Sequence, residues 1–171
     1  MSHMPLEYNQ TGFSWKSIRG IALMGVLIAL SAVGAMIKIP SPVGTIGLDS
    51  FPGFFAALAL GATGGMIVIT LGHLLTAMVV GFPLTLPVHL FIAAQMALWA
   101  WVFRWTKERF GLTAAFIAGV FLNGVVSSLT MLLMGGWAAV VAVMPFLVVG
   151  SAVNVGLAAA AYRGVKGMRL M

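Results

Sequence analysis

The stretch KIPSPVGTIGLDSFPGFF, from Lys38 to Phe55, interrupts a chain that is otherwise strongly apolar. It holds three prolines and three glycines, and its Lys38 and Asp49 are the charged residues between the long apolar runs on either side. The prolines prevent a helix from continuing, and the glycines permit turns. The stretch therefore predicts a polar lid or binding loop between two helices, with Asp49 or Ser50 as the N-cap of the second helix.

The composition of the chain places these helices in a membrane. Hydrophobic residues make up 61% of the 171 residues and charged residues only 7%, with a mean hydropathy of +1.11. A soluble domain with so little charge could not keep its surface hydrated. At about 20 residues per span, the length fits about six spans and leaves no room for a soluble catalytic or nucleotide-binding domain. With no cysteine, disulfides and thiolate metal sites are excluded.

The predicted fold is an all-α integral membrane protein with six transmembrane helices. We divide the chain into an N-terminal tail (1–17, of which 1–4 resemble a cloning scar), a six-helix membrane domain (18–162) and a basic tail (163–171). A tight turn is expected at 61–65 and a basic loop at 104–109. The predicted helices are Ile18–Ile37, Ser50–Leu60, Gly65–Val80, Val88–Phe103, Leu112–Met134 and Trp137–Tyr162.

The basic residues predict the orientation of this bundle. Six spans place the N-terminus, the 104–109 loop and the C-terminal tail on one side, and eight of the nine Lys and Arg residues lie in these three segments. Only Lys38 lies opposite. The positive-inside rule therefore predicts cytoplasmic termini and an external 40–49 loop, and it explains the net charge of +6 without a nucleic-acid partner.

The first helix carries a stripe of small residues, Ala22, Gly25, Ala29 and Ala32. At 100° per residue these four positions fall within about 80° of one another. Small faces let helices approach closely in lipid. Two interpretations remain open, packing inside this bundle or docking of a separate membrane subunit.

Polar residues inside the predicted spans indicate a substrate pocket that opens outward. Polar groups in hydrocarbon cost free energy unless they are paired, so they usually face a bundle interior or a cavity. Each of them also has a structural alternative, such as a hydrogen bond between helices, an N-cap for Asp49 or an interfacial position for Trp137. The candidate substrate-binding residues are His89, Asn123, Asp49, Gln95, Lys38, Ser127, Trp137, His73 and Asn154.

Several chemistries lack their sequence motifs. There is no GxxxxGK[ST] phosphate-binding loop and no GxSxG nucleophile motif. His73 and His89 are not part of an HExxH pattern, so neither a metal site nor another cofactor is expected. A small intramembrane enzyme built on His73, His89 and Asp49 and a solitary channel both remain alternatives to a binding subunit.

Two segments resemble one known family, IKIPSPVGTIGLDSFPGFFAALALG (residues 37–61) and LGHLLTAMVVGFPLTLPVHL (residues 71–90). Together with the six-helix plan and the stripe on the first helix, they resemble the S components of energy-coupling factor (ECF) transporters, which are small vitamin-binding proteins of bacterial membranes. Within that family they are most similar to the type assigned to α-ribazole, a nucleoside used to build cobalamin. S components for other water-soluble vitamins are the alternative.

The resemblance implies partners and roles for particular residues. A transmembrane coupling subunit would dock on the small stripe, where Gly25-xxx-Ala29 replaces the family's AxxxA, and two ATPase subunits would hydrolyse ATP. The protein itself would then not be an enzyme. A benzimidazole ring would pack on Trp137, Phe82, Phe91 or Trp99, while His89, Asn123, Gln95 and Asp49 would bind its polar edge. The N-terminal MSHM lacks the rest of the family's metal-uptake motif, so nickel or cobalt uptake is not expected.

Overall fold

The computed structural model describes residues 15–41 and 44–168, and the side chains of these residues outside 38–46. The predicted tails therefore lie mostly outside the described residues, as does the side chain of Lys38. The elements in chain order are α1 (Ile18–Ala35), β1 (Lys38–Ser41), β2 (Gly44–Gly47), α2 (Phe51–Ala59), α3 (Gly61–Val79), α4 (Leu86–Val120), a π-helix (Phe121–Val126), a 3-10 turn (Leu129–Met131) and α5 (Leu132–Gly167).

Among the described residues, three helical stretches are long and apolar enough to cross a membrane. They are α1, α3 and the continuous stretch from Leu86 to Gly167. Backbone breaks divide that last stretch. Gly111, at φ 87°, interrupts α4, and the pair Gly135 and Gly136, the latter at φ 64°, interrupts α5. These φ values lie in the region that glycine adopts without steric cost. The predicted all-helical membrane class is confirmed.

The segment predicted as a polar loop contains a β-hairpin, which the predicted all-α fold class did not include. Strands β1 and β2 pair antiparallel, with Lys38 opposite Gly47 and Ser41 opposite Gly44. The hairpin lies against the end of α1, because the backbone N–H of Leu48 donates to the carbonyl of Gly34 at 3.0 Å. A Cβ at Gly34 would lie 2.2 Å from the Leu48 oxygen, so only glycine allows this contact.

Helix α2 forms the centre of the core. Every residue from Pro52 to Ala59 is buried, as expected for a short helix that is apolar on all sides. The ring of Phe54 meets Phe103 of α4 edge-on at 5.0 Å. Added Cβ atoms at Gly53 and Gly65 would lie 2.4 Å from Ile69 and Ala57 respectively. The glycines therefore bring α2 and α3 into contact by removing side-chain volume.

Two predicted connections differ from the structure. The expected turn at 61–65 is wrong, because one residue, Gly61 at φ 86°, makes the turn and also begins α3. The expected loop at 104–109 is helical, because α4 continues to its break at Gly111. Arg104 in this helical segment donates to the carbonyls of Ala57 and Leu58 at 3.2 and 2.8 Å, and so satisfies acceptors at the end of α2.

The ends of two other helices are also shifted. Helix α1 ends at Ala35 rather than at Ile37, where the chain turns into the hairpin. Helix α5 runs to Gly167, so the predicted basic tail begins inside a helix rather than after it.

Candidate functional site

A cavity of about 410 Å³ lies beneath the hairpin, between α3, α4, the π-helix, α5 and the two residues that precede α2. Its polar lining is contributed by Asp49 and Ser50 ahead of α2, the middle of α3, the start of α4, the π-helix and the middle of α5. Apolar side chains of α4 and α5 complete the wall. The lining residues that carry the argument below are Asp49, His73, His89, Asn123, Ser127, Ser151, Asn154, Met96, Met131, Val143 and Leu147.

The structure brings six of the nine predicted substrate-binding residues together at this cavity, namely Asp49, His73, His89, Asn123, Ser127 and Asn154. Two others lie elsewhere. Gln95 accepts a hydrogen bond of 3.4 Å from Thr130 and is not part of the cavity lining. The side chain of Trp137 is 67% exposed on the outside of the bundle. The side chain of Lys38 lies outside the described residues.

Asp49, His73 and His89 lie in a row at the cavity, and the two histidines are hydrogen-bonded to each other. The backbone N–H of Leu84 donates to Nε2 of His89 at 3.4 Å, so in the neutral imidazole the proton is on Nδ1. Nδ1 of His89 lies 3.1 Å from Nε2 of His73 and is therefore the donor. This leaves the proton of His73 on Nδ1, which faces Oδ2 of Asp49 at 3.7 Å. Both histidines are thus oriented by protein partners.

Asn154 of α5 connects three parts of the chain. Its Oδ1 accepts the backbone N–H of Phe51, the first residue of α2, at 2.6 Å. Its Nδ2 donates to the carbonyl of Gly150 at 2.9 Å and to that of Gly47, in β2, at 3.4 Å. The residue at the N-cap position, Ser50, makes no side-chain capping bond. Asn154 therefore caps α2 from another helix, which was predicted for Asp49 or Ser50.

The π-helix positions a second polar group of the cavity. It contains Asn123, whose Nδ2 donates to Oγ of Ser151 at 2.9 Å. Ser127 follows the π-helix; it accepts the indole N–H of Trp99 at 2.9 Å and donates to the carbonyl of Leu122. Single-turn π-helices are rare and occur mostly at functional sites. Side chains of α4 and α5 thus fix the position of this irregular segment.

Sequence reasoning missed Ser151 and the apolar lining, and it gave Trp99 a different role. Trp99 was predicted to pack on a substrate ring, but it is 9% exposed and its N–H is bonded to Ser127. A buried indole requires an acceptor, which is the signal that could have paired it with a hydroxyl of a neighbouring helix. Of the other predicted ring partners, Phe91 is half exposed, whereas Phe82 packs edge-on against His89 at 5.7 Å.

The loop between α3 and α4 forms another part of the cavity wall, through Pro83 and Leu84. Its backbone is strained, since Phe82 and Thr85 have φ of 50° and 71°, values that are uncommon for residues other than glycine. Strain of this kind persists where surrounding contacts impose it, often at ligand sites. Here those contacts are made by His89, with the Phe82 ring and with Leu84 N–H.

The small stripe of α1 lies on the outside of the bundle. Ala22, Gly25 and Ala29 are exposed and Ala32 is half-buried. An added Cβ at Gly25 would meet no atom within 4 Å. The small residues are therefore not required for helix packing inside this chain, which was one of the two interpretations of the sequence.

The chemistry available at the cavity is that of hydrogen bonding. In the part of the chain that the structure describes, no group of three or more His, Asp or Glu residues has the geometry to hold a metal ion. The cavity instead offers one carboxylate, two imidazoles, two carboxamides and four hydroxyls beside methionine and aliphatic side chains. Such a mixture can bind a small organic molecule that has both polar and apolar parts.

Residues 19–165 match the family described as "ECF transporter, substrate-specific component". This match covers most of the chain, and the protein therefore belongs to the family of ECF transporter substrate-specific components. No curated protein matches the chain, and no solved structure matches it either. Membership makes the protein a multi-pass membrane subunit of a transporter rather than an enzyme, and implies a small-molecule substrate and association with ECF coupling and ATPase subunits.

Proposed function

We propose that the protein is the high-affinity binding subunit of an ECF-type importer in a bacterial cell membrane, and that its substrate is α-ribazole. The observation that carries this proposal is the 410 Å³ cavity beneath the hairpin, where polar side chains of five segments converge beside an apolar wall. Small-molecule sites commonly have volumes of about 300–1,000 Å³. A benzimidazole nucleoside offers an aromatic face for the apolar wall and ribose hydroxyls for the polar groups.

The six-span arrangement is supported by the way in which the backbone breaks divide the long helices. Helix α2, with nine residues, rises about 14 Å, which is less than half of a bilayer core of about 30 Å. The hairpin and residues 48–50 would complete this crossing. Irregular backbone is tolerated at membrane depth where protein surrounds it, and α2 is buried along its length.

Contacts at one end of the bundle support placing both termini in the cytoplasm. Lys107 of α4 lies over the ring of Tyr162 of α5 at 5.7 Å, and Arg104 binds the end of α2. Trp15 lies near the start of α3, since a Cβ added at Gly64 would be 3.6 Å from the Cβ of Trp15. These contacts gather the basic segments at the end of α2 that points away from the hairpin. The positive-inside rule then assigns this end to the cytoplasm and the hairpin to the outside.

The exposed stripe of α1 is the proposed docking face for the transmembrane coupling subunit. Without large side chains at Ala22, Gly25 and Ala29, a partner helix could approach the α1 backbone closely. ATP hydrolysis would take place on the partner ATPases, in keeping with the absence of a phosphate-binding loop motif from this sequence.

The experiment that tests the substrate is calorimetric titration of the purified protein with α-ribazole and a panel of water-soluble vitamins. We expect nanomolar affinity for α-ribazole, about −12 kcal/mol, and mass spectrometry should find the same compound bound to protein purified from cells that contain it. Tighter binding of another vitamin would replace the substrate assignment. Failure of the entire panel, or uptake by vesicles that contain this protein alone, would contradict the importer-subunit function.

A further inference from the structure

The described lining of the cavity contains an acidic side chain but no Lys or Arg. Among the cavity-lining residues whose side chains the structure describes, Asp49 is the one that carries a formal charge at neutral pH when the histidines are neutral. It lies in a largely apolar cavity, where charge interactions are stronger than in water. An anionic ligand group near this carboxylate would be repelled, whereas hydroxyl and N–H groups would be attracted.

Asp49 is available to a ligand because other residues perform the structural tasks at this position. Asn154 caps α2 at 2.6 Å, so the carboxylate of Asp49 is not needed there. The 3.7 Å separation between Asp49 Oδ2 and His73 Nδ1 is too long for a good hydrogen bond. The side chain is 17% exposed, so its oxygens keep lone pairs that can accept from a ligand. The N-terminus of α2, two residues on, favours the negative charge.

The other polar groups of the cavity are mostly occupied by protein partners. The donors of Asn154 bind Gly150 and Gly47, and Ser127 both accepts from Trp99 and donates to Leu122. Asn123 uses one amide N–H on Ser151, which leaves its second N–H and its carbonyl oxygen for a ligand. Of the groups that remain for a ligand, the carboxylate of Asp49 offers acceptors alone, whereas Asn123 offers both a donor and an acceptor.

We infer that Asp49 determines substrate specificity by accepting hydrogen bonds from hydroxyl groups of an uncharged ligand, and that the cavity rejects anionic derivatives of the same ligand. This inference rests on the proposed function and narrows its substrate class to neutral, donor-rich molecules. A carboxylate can accept two neighbouring hydroxyls at once, as acidic residues do at the ribose of dinucleotides. The ribose end of a nucleoside supplies such a pair, whereas a 5′-phosphate would bring two negative charges into the same cavity.

The test compares α-ribazole with its 5′-phosphate by calorimetry on the full-length protein. Wild-type protein should bind the nucleoside at least about tenfold more tightly than the phosphate, since each tenfold step corresponds to about 1.4 kcal/mol. Asp49→Asn keeps the side-chain shape and removes the charge. It should weaken nucleoside binding about tenfold or more, as expected for lost bonds to a charged group, and should reduce the discrimination against the phosphate.

Glu108→Gln is the matched control, because it removes the same charge from an exposed residue that is paired with Arg104 and lies outside the cavity lining. Its affinities should equal those of the wild type. Unchanged nucleoside affinity in Asp49→Asn, or phosphate binding as tight as nucleoside binding in the wild type, would overturn the inference.

If α-ribazole does not bind at all, the substrate assignment has failed, and the vitamin panel then tests separately whether the cavity rejects anionic ligands. Binding of an uncharged or cationic vitamin with an affinity that falls in Asp49→Asn would support the inference. Selection of a carboxylate or phosphate vitamin would overturn it.

Discussion

At the scale of the residue, Asn154 shows how one buried side chain can define the site. It is 2% exposed and bonds to α2, to the hairpin and to its own helix. Sequence reasoning placed it among the substrate-binding residues, since an amide inside an apolar span predicts either a ligand contact or a bond between helices. The observed bonds use both its donor and its acceptor groups, so we propose a positioning role for Asn154.

Replacing Asn154 by alanine should destabilise the protein and weaken substrate binding. The substitution leaves the N–H of Phe51 without its partner, and an unpaired buried polar group costs about 1–3 kcal/mol. The measurement is the thermal unfolding midpoint in detergent, together with the dissociation constant.

Gln95→Ala provides the comparison for this prediction. Gln95 is also an amide of the bundle, but it is half-buried and takes part in one long bond of 3.4 Å with Thr130. Its loss should lower the unfolding midpoint by less than the loss of Asn154. Equal effects of the two alanine substitutions would contradict the capping role.

At the scale of the element, irregular backbone helps to bring together polar groups that lie on separate segments of the chain. The hairpin, the strained 82–85 turn and the π-helix each interrupt regular structure beside the cavity. Regular helices satisfy their own backbone groups and present side chains at fixed spacings. Departures from that pattern bring Asp49, His89 and Asn123 to one cavity although they lie on separate segments. Each departure is stabilised by bonds from a neighbouring helix.

The exposed stripe of α1 leads to a prediction at the same scale. Replacing both Gly25 and Ala29 by leucine should abolish substrate uptake by the assembled transporter, because bulky side chains would hold a partner helix away from α1. Substrate binding by the isolated subunit should be unchanged, since an added Cβ at Gly25 meets nothing within 4 Å. Uptake in vesicles and calorimetry on the subunit measure the two effects.

Val26→Leu is the control for this pair, because Val26 is already a large side chain with 64% exposure on α1. It should preserve both uptake and binding. A matching loss of substrate binding in the Gly25 and Ala29 double variant would show that the stripe stabilises the bundle itself rather than a contact with a partner.

At the scale of the whole molecule, the orientation of the protein in the membrane can be tested with single introduced cysteines. The chain contains no cysteine, so single cysteines report one position each. Thr45→Cys, in β2, should react with a membrane-impermeant maleimide on intact cells if the hairpin is external. Lys166→Cys, near the end of α5, should react only after the cells are permeabilised. The reverse pattern would overturn the proposed orientation, and labelling of both sites from outside would contradict an even number of spans.

The sequence alone determined the membrane class, the positions of most helices and the family. These properties follow from composition, apolar length and local motifs, which depend on residues close together in the chain. Helix ends were predicted less well, because the basic run at 104–109 indicates a loop although α4 remains helical through it to the break at Gly111. The hairpin was missed for a similar reason, since turn residues predict irregular backbone but not its pairing.

Only the tertiary structure decided which polar residues share a cavity and what each one is free to do. His73 and His89 are 16 residues apart in sequence, and Asn154 meets Phe51 across 103 residues, so no local pattern could pair them. Trp137 and Gln95 were equally good candidates by depth, yet their angular positions on packed helices turn them away from the cavity. The opening stretch was identified by sequence, but the release of Asp49 from capping α2 depends on a bond from the opposite end of the chain.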